Sequence, residues 1–511
     1  MSLNSRYKNS MTPEFSDQNI LNAWRDVELA VLKAKYETTG NKEFLECLNA
    51  LAVIGDVNVA RKEEIEKETK HDLVAAIRAM AEQVDALKPG MNLGRLIHQG
   101  ITSYDTEDTA TSLMLHAAGR KILAGLDKLK DAFEAKAELF KFAPCLGYTH
   151  NQVAEPITIG KRFLDIAVGI DQQNGKLADE IEEINQCKIK GAVGIHSGAL
   201  TPSFENKVAA ELGQKVSRVA TQILPIEDLL PFFAPMLTIA CKLENWAQNM
   251  RLLSGAEAEV KEGFAKKQTG SSVMTFKQNP INIENITGAA RAMKALFAEL
   301  MNATGTWRER DISNSFQIQR HVVPEIFEVM EHLIQKTMLI LDGLQIFPIQ
   351  SFRNLDKYGD MLFAGAAKDW LATNLPAAGD NEAIYKMVQK ESIDSKYSIE
   401  FRGGKSHLTD KLADVVHEKI GAGAVAKFKN IMSVSYNLRN VAANYSIAGL
   451  ALDSRCEEMV DYIIETGQLA HFGEKDALGF IDAYEKIVVA NHGSFGGIER
   501  AVAKFKNALN R

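Results

Sequence analysis

The chain has 511 residues, more than one ordinary hydrophobic core supports, so several domains are expected. With 46% hydrophobic and 24% charged residues it resembles a soluble globular protein, and a net charge of −7 of mixed signs argues against a nucleic-acid partner. The N-terminus lacks the apolar core of a signal peptide. The longest apolar stretch, residues 229–241, contains two prolines and is too short to span a membrane, so it is interpreted as buried helix. We therefore expect a cytoplasmic protein without a membrane partner.

The periodicity of apolar residues predicts an all-α protein. Prolines are few, 12 in the whole chain, and long stretches run without a helix breaker. One amphipathic pattern begins near Thr106 and continues to about Phe142, which corresponds to a helix on the order of 50 Å long. Further long helices are predicted over roughly residues 155–187, 204–222, 227–262, 281–304 and 322–345.

Long helices with wide apolar faces pack into an elongated bundle, often completed by other subunits, so oligomerisation is expected. We divide the chain into an N-terminal helical domain (about 1–110), a central long-helix bundle (about 111–365) and a C-terminal helical domain (about 366–511). The last boundary follows a change in composition after Gly379 and a polar turn that begins at Phe401.

Two of four polar segments that interrupt the helices lie in the first third of the chain. In residues 98–109, Thr102 and Ser103 precede the long helix, where hydroxyls and free backbone N–H groups bind anions. A plain helix cap is the alternative. In residues 147–158, His150 lies in a polar turn ahead of a helix, where a lone histidine is more often structural than catalytic.

The other two segments follow residue 270. Residues 270–284 begin with a Gly-Ser-Ser loop, after which Lys277 and Asn279 stand at alternate positions suited to one carboxylate. Glu284 falls inside the next predicted helix, where it could orient a histidine. Residues 307–315 include Arg310 and Ser315, whose side chains are donors of the kind that bind phosphate, although a solvated charged turn is the alternative.

These four segments, in this order, resemble the aspartase/fumarase superfamily, whose hallmark is Gly-Ser-Ser-x-Met-Pro-x-Lys-x-Asn-Pro. The likeness covers about residues 5–355. Three details resemble its adenylosuccinate lyase branch: Ser-Arg-Tyr at 5–7, Thr-Lys-His-Asp at 69–72, and Arg-Asp-Ile-Ser-Asn-Ser at 310–315. The argininosuccinate lyase branch carries Gly-Arg-Ser-Arg-Asn-Asp where this chain has Gly-Ile-Thr-Ser-Tyr-Asp.

The chain departs from the branch pattern in several places. Thr275 replaces the hallmark proline, Lys70 replaces an arginine, and Asn151 replaces a glycine. A phosphate-binding arginine is expected four residues after Ser315, but that position is Gln319 and the nearest arginine is Arg320. One residue on a helix is a rotation of about 100°, so either the local turn absorbs the offset or other residues bind the phosphate.

The resemblance implies β-elimination from a succinyl group bound to nitrogen, with release of fumarate. It assigns Ser271 as the general base and His150 as the general acid, with Glu284 setting the protonation of His150. His71 is a second candidate for substrate contact or proton transfer. The implied substrates are adenylosuccinate, giving AMP, and succinylaminoimidazole carboxamide ribotide, giving AICAR.

The resemblance also implies a homotetramer in which each active site draws its segments from three subunits. Substrate contacts are assigned to Arg6, Tyr7, Lys70, Asp72, Thr102, Ser103, Thr149, Gln222, Lys277, Asn279, Arg310, Ser315 and Arg320. No cofactor is implied. The five cysteines form no Cys-x-x-Cys pair and the remaining histidines lack ligand spacing, so neither a metal site nor a disulfide framework is predicted.

Two alternatives remain at this point. The chain could be a sister lyase acting on aspartate, argininosuccinate or malate, none of which needs a phosphate pocket. It could also be a catalytically silent helical scaffold, although such a protein has no reason to keep Ser271, His150, Lys277, Asn279 and Glu284 together.

Overall fold

The computed structural model describes residues 7–305, 308–313, 321–375, 380–450, 455–493 and 496–510. In these ranges α-helices dominate, and the strands form two-stranded sheets. The predicted all-α bundle class is confirmed. In chain order the helices are α1 (Asp17–Thr39), α2 (Lys42–Val53), α3 (Val59–Thr69), α4 (Asp72–Leu87), α5 (Ser103–Leu139), α6 (Ile159–Ile184), α7 (Pro202–Leu212), α8 (Leu229–Leu253), α9 (Ile281–Asn302), α10 (Val323–Gly343), α11 (Pro348–Tyr358), α12 (Ala364–Asn374), α13 (Asn381–Phe401), α14 (Leu408–Lys419), α15 (Ala422–Ile431), α16 (Val434–Asn437), α17 (Val441–Ile447), α18 (Cys456–Glu465), α19 (Glu474–His492) and α20 (Gly496–Leu509).

Three short sheets lie between the helices. The antiparallel pair β1–β2 is the longest, β3–β4 is parallel, and β5–β6 is antiparallel. The strands are β1 (Pro144–Thr149), β2 (Gln152–Thr158), β3 (Gln186–Cys187), β4 (Lys215–Val216), β5 (Val260–Lys261) and β6 (Gln345–Ile346).

Most of the predicted long helices are present, and two were predicted too long. The helix predicted over 227–262 ends at Leu253, and residues 260 and 261 belong to β5. The stripe on α5 is buried as its spacing indicates, since Ile122, Leu126 and Phe133 have no exposed surface. The helix predicted over 204–222 is wrong beyond Leu212, because Gly213 adopts φ +64° and ends α7 in a left-handed cap. Residues 155–158, predicted as helix, belong to β2.

Contacts divide the chain into two compact units. The first consists of Met1–Leu129, Gly169–Asn245 and Asn285–Thr337. Its N-terminal core is formed where α1, α2, α4 and α7 pack together, with Trp24, Leu51, Met80, Phe204 and Val208 among its buried residues.

The second unit consists of Lys130–Val168, Trp246–Glu284 and Met338–Arg511. One core packs Leu146 of β1 against side chains of α11, α12, α14 and α15, including Leu371, Leu412 and Phe428. Helix α18 packs against α20, and α11 packs against α19. The predicted three-domain division stays a prediction.

The structure also describes the state of the cysteines and the length and polarity of the helices. All five cysteines are free, and burial raises the pKa of Cys47 and Cys145 to about 12. Among the described helices, none is both long and apolar enough to cross a membrane.

Candidate active site

The loop with the Gly-Ser-Ser motif lies in the second unit, between β5 and α9. Its exit is fixed by Glu262, whose carboxylate accepts hydrogen bonds from the backbone N–H groups of Asn282 and Ile283, both at 3.0 Å. A carboxylate at the N-terminus of a helix also interacts favourably with the helix dipole. The start of α9 is therefore a firm anchor for the loop.

Ser271 occupies a turn in which two backbone donors converge on its side chain. Its Oγ accepts hydrogen bonds from the N–H groups of Met274 at 3.0 Å and Val273 at 3.3 Å. Backbone donors aimed at one oxygen stabilise negative charge on it. The local fold therefore favours an alkoxide at Ser271, as a general base requires.

Further hydrogen bonds join residues within this loop. The Asn279 side chain donates to the carbonyl of Gly270 at 2.9 Å, and the Lys277 N–H donates to the carbonyl of Met274 at 3.0 Å. A Cβ on residue 270 would lie 2.1 Å from the Lys277 carbonyl, so only glycine fits there. These bonds leave the ammonium group of Lys277 on the surface.

Two large apolar side chains of this loop face solvent. Val273 is 83% exposed and Phe276 is 85% exposed. Met274, which stands between them in the chain, is 42% exposed, and clustered exposed apolar side chains are typical of interaction surfaces. The loop therefore carries both Ser271 and an exposed apolar surface.

His150 lies at the tip of the β1–β2 hairpin. Thr149 pairs with Gln152, and the two turn residues His150 and Asn151 have φ of +51° and +57°. Two left-handed residues form the turn type that matches the twist of a hairpin, and asparagine is one of the few residues that adopt it easily. Replacement of the branch glycine by Asn151 is therefore compatible with the turn.

Arg162 contacts the base of this hairpin. Arg162 of α6 donates to the carbonyl of Leu146 at 2.5 Å and lies 3.4 Å from the buried carboxylate of Glu259. The His150 ring, in contrast, is exposed, and it forms no hydrogen bond or ion pair with any described residue. The hairpin thus presents the His150 imidazole to solvent without a hydrogen-bond partner among the described residues.

Glu284 lies in the first turn of α9, as predicted. Its carboxylate is 3.6 Å from Arg251 Nη2, and in the part of the chain described it forms no contact with His150. The proposed influence of Glu284 on His150 stays a prediction.

Three assigned residues lie in the first unit, in the turn between α3 and α4. Lys70 ends α3 with φ +52°, and His71 caps α4 by accepting the Val74 N–H at 3.5 Å. His71 Nδ1 lies 3.5 Å from Asp72. Lys70 and His71 are exposed, and the turn therefore offers both an ammonium and an imidazole to solvent.

Three further assigned residues of the first unit are joined by hydrogen bonds. Gln222 donates to the Thr102 hydroxyl at 3.4 Å and accepts from Arg310 at 3.2 Å. Ser103 is the first residue of α5, directly after Thr102. The Arg310 guanidinium lies 3.8 Å from the ring centroid of Tyr104, a favourable cation–π distance. Hydroxyl, amide and guanidinium groups thus meet at the start of α5.

Tyr7, a further assigned residue, has an aromatic partner in the first unit. Tyr7 packs edge-on against His332 with ring centroids 5.2 Å apart, and burial lowers the pKa of His332. Arg6, Ser315 and Arg320, together with Gln319, lie outside the described residues.

Sequence reasoning missed buried charges beneath the cluster. Asp105 and Lys188 are fully buried and form an ion pair of 3.0 Å, and Asp108 accepts the Leu224 N–H at 2.7 Å. The two aspartates stand in the first polar segment, which was a usable signal. Lys188 stands between two buried residues, Cys187 and Ile189, and nothing in its spacing marks it.

Burial raises the pKa of the Asp108 carboxyl to about 7, although the positive charges of Lys188 and Arg310 act to lower it. Its folded-state pKa exceeds the unfolded value of 3.8, so the stability that Asp108 contributes falls as pH rises from about 4 to 7. We expect Asp108→Asn to melt at a higher temperature than the unmodified protein at pH 8. The difference in melting temperature between the two proteins should shrink as the pH falls towards 4. Scanning calorimetry between pH 4 and pH 8 measures this difference.

Asp228 provides the control, since it lines the same pocket as Asp108 and burial raises its pKa less strongly. Asp228→Asn should show a smaller pH-dependent difference. Parallel melting curves for Asp108→Asn and the unmodified protein at every pH would contradict the assignment.

No group of three or more His, Cys, Asp or Glu side chains in the described ranges is arranged to hold a metal ion. The chemistry that the described residues offer is proton transfer by Ser271 and His150 and anion binding by the Thr102 cluster. The first two residues belong to the second unit and the cluster belongs to the first.

Comparison with known proteins gives the family. The family described as Lyase matches residues 6–293, which is more than half of the chain. The chain is 29% identical over 444 residues to the adenylosuccinate lyase of Bacillus subtilis (strain 168), covering 86% of this chain and 98% of that protein. It is 30% identical over 389 residues to the adenylosuccinate lyase of Staphylococcus saprophyticus, covering 76% of this chain and 87% of that protein.

Two solved structures are similar in fold. The crystal structure of a fumarate lyase from Mesorhizobium sp. BNC1 has a TM-score of 0.71 and 19% identity, covering 84% of this chain and 96% of that one. That of 3-carboxy-cis,cis-muconate lactonizing enzyme from Pseudomonas putida has a TM-score of 0.70 and 18% identity, covering 98% and 97%. Sequence and fold agree, and the chain belongs to the lyase family of the aspartase/fumarase superfamily.

Proposed function

We propose that this lyase is an adenylosuccinate lyase, which eliminates fumarate from adenylosuccinate to give AMP. By the same chemistry it converts succinylaminoimidazole carboxamide ribotide to AICAR. The observation that carries the proposal is the bonded set of Thr102, Gln222 and Arg310, which places a hydroxyl, an amide and a guanidinium together as a substrate with both carboxylates and a phosphate requires. The two bacterial relatives of that name support it over most of the chain.

The difficult step is removal of a weakly acidic proton from the carbon next to a carboxylate. Ser271 takes this proton, since the Met274 and Val273 N–H groups stabilise its alkoxide. The negative charge of the resulting carbanion delocalises onto the carboxylate. Lys277 and Asn279 bind this carboxylate, after the Asn279 side chain gives up its hydrogen bond to the Gly270 carbonyl in favour of the substrate. The C–N bond then breaks.

His150 protonates the departing nitrogen, so that the amine leaves neutral rather than as an anion. Its ring is free for this role because the hairpin presents it without an internal partner. Glu284 sets the protonation state of His150 from another subunit, and His71 contacts the substrate on the nucleotide side.

The remaining assigned residues bind the substrate at its ends. The succinyl carboxylates contact Thr102 and Ser103 at the start of α5, where free N–H groups and hydroxyls meet. The nucleotide is bound by Arg6, Tyr7, Lys70, Asp72, Thr149, Gln222, Arg310, Ser315 and Arg320.

We further propose a cytoplasmic homotetramer whose active sites are shared between subunits. Within one chain His150 has no polar partner among the described residues, Glu284 is turned to Arg251, and Val273 and Phe276 are exposed. These are the features of a site that is completed by other copies.

The proposal is tested by following the ultraviolet absorbance of adenylosuccinate with the purified enzyme. We expect turnover to AMP and fumarate, and none with aspartate, argininosuccinate or malate. Turnover of one of those compounds without turnover of adenylosuccinate would assign the chain to a sister activity.

A further inference from the structure

Beneath the Thr102 cluster, a buried ion pair connects segments that are distant in sequence. The Lys188 ammonium lies 3.0 Å from Asp105 Oδ1, and neither side chain has any exposed surface. Taking both charges out of water is costly, and replacing such a pair by apolar residues is often neutral or stabilising. The pair therefore calls for an explanation other than stability.

Asp105 fixes the backbone at Thr102. Its Oδ2 accepts the Thr102 N–H at 2.9 Å, and the Asp105 N–H donates to the Thr102 carbonyl at 2.9 Å. The first of these bonds is the half of a capping box in which a carboxylate reaches back to the N–H of the residue before the helix. Asp105 Oδ1 also accepts the N–H groups of Lys190 and Gly191 at 3.1 Å, which ties the segment after β3 to the start of α5.

Lys188 fixes the backbone at Gln222. Besides pairing with Asp105, its ammonium donates a hydrogen bond to the Gln222 carbonyl. The Gln222 side chain in turn bonds Thr102 and Arg310. One buried ammonium thus links the two backbone segments from which Thr102 and Gln222 project.

We propose that Lys188 is a positioning residue for the lyase reaction, which holds Gln222 and Thr102 in register through its contacts with the Gln222 carbonyl and Asp105. It touches no substrate. Its effect on turnover is indirect, through the placement of the two side chains, and the part concerning turnover rests on the proposed function.

Lys188→Met is the direct test. Because a misplacement of about 1 Å costs on the order of 100-fold in rate, we expect kcat/KM to fall about 100-fold per folded enzyme. Lys190→Met is the matched control, since Lys190 is also buried and pairs with Glu205 at 2.7 Å, and among the described residues its ammonium contacts neither Thr102 nor Gln222. It should lose stability while keeping kcat/KM within a few-fold.

A lone buried aspartate would destabilise Lys188→Met, so the double variant Lys188→Met/Asp105→Asn separates positioning from folding. Removing both charges should restore much of the folded yield. It should leave kcat/KM low, because the bond to the Gln222 carbonyl is still missing. Recovery of kcat/KM together with stability would overturn the proposal.

A substrate-free measurement distinguishes failure of this inference from failure of the proposed function. In hydrogen exchange, Lys188→Met should speed exchange at residues 221–224, whose Gln222 and Leu224 N–H groups are bonded to Glu309 and Asp108. Lys190→Met should not. Equal exchange in the two variants contradicts the positioning role, whatever substrate the enzyme accepts.

Discussion

Replacing Ser271 with alanine should lower kcat for adenylosuccinate about a thousandfold, because a positioned general base contributes roughly 10²- to 10⁴-fold. Substrate binding should change little, since Ser271 contributes chemistry and its Oγ is occupied by the Met274 and Val273 N–H groups. Steady-state kinetics and calorimetric binding of adenylosuccinate to the variant measure the two effects separately.

Ser272→Ala is the matched control for this substitution. Ser272 is the next residue of the same loop, it is exposed, and its removal takes away an equivalent hydroxyl. It should retain nearly full kcat. Equal losses in the two variants would show that the loop tolerates no change, and would remove the support for Ser271 as the base.

Activity should return when two inactive variants, Ser271→Ala and His150→Asn, are mixed and allowed to exchange subunits. If each site takes Ser271 and His150 from different copies, about a quarter of randomly assembled sites contain both intact residues. Recovered activity is measured against the unmodified enzyme carried through the same exchange. Asparagine is chosen at 150 because it adopts the left-handed backbone of the turn.

A second mixture controls for nonspecific recovery. Ser271 and Lys277 belong to one loop of one chain, closed by the bond between Asn279 and Gly270. A site formed from Ser271→Ala and Lys277→Ala chains therefore lacks one of the two residues in every arrangement. This mixture should stay inactive, and no recovery in the first mixture would contradict shared sites.

The sequence predicts those parts of the fold that depend on local pattern. The apolar spacing on α5 and α9 predicts helices with bounds close to the observed ones. Helix α8 forms despite Pro235 in its interior, but it ends at Leu253 rather than at the predicted residue 262. Helix α7 was predicted too long because an apolar pattern continues beyond Gly213, while the left-handed backbone of that glycine ends the helix. The short hairpin of β1 and β2 was missed, since alternation over so few residues resembles a helix start.

The candidate site likewise contains residues that a local pattern predicts and one that it does not. Ser271, Lys277 and Asn279 lie within one short segment, so a local motif is enough to predict them as site residues, and their roles stay predictions. Lys188 could not be found, because its role depends on meeting Asp105 and Gln222 in three dimensions, far apart along the chain. No local pattern records such a contact.

The hairpin turn at His150 also restricts which residues can stand at this position in the chain. Both turn residues adopt left-handed backbone, which among chemically active side chains histidine and aspartate tolerate best. Glutamate, lysine or tyrosine at position 150 would strain the turn, and aspartate would be ionised near neutral pH. The backbone therefore limits which side chains position 150 accepts, and histidine combines tolerance of this conformation with an ordinary pKa near neutrality.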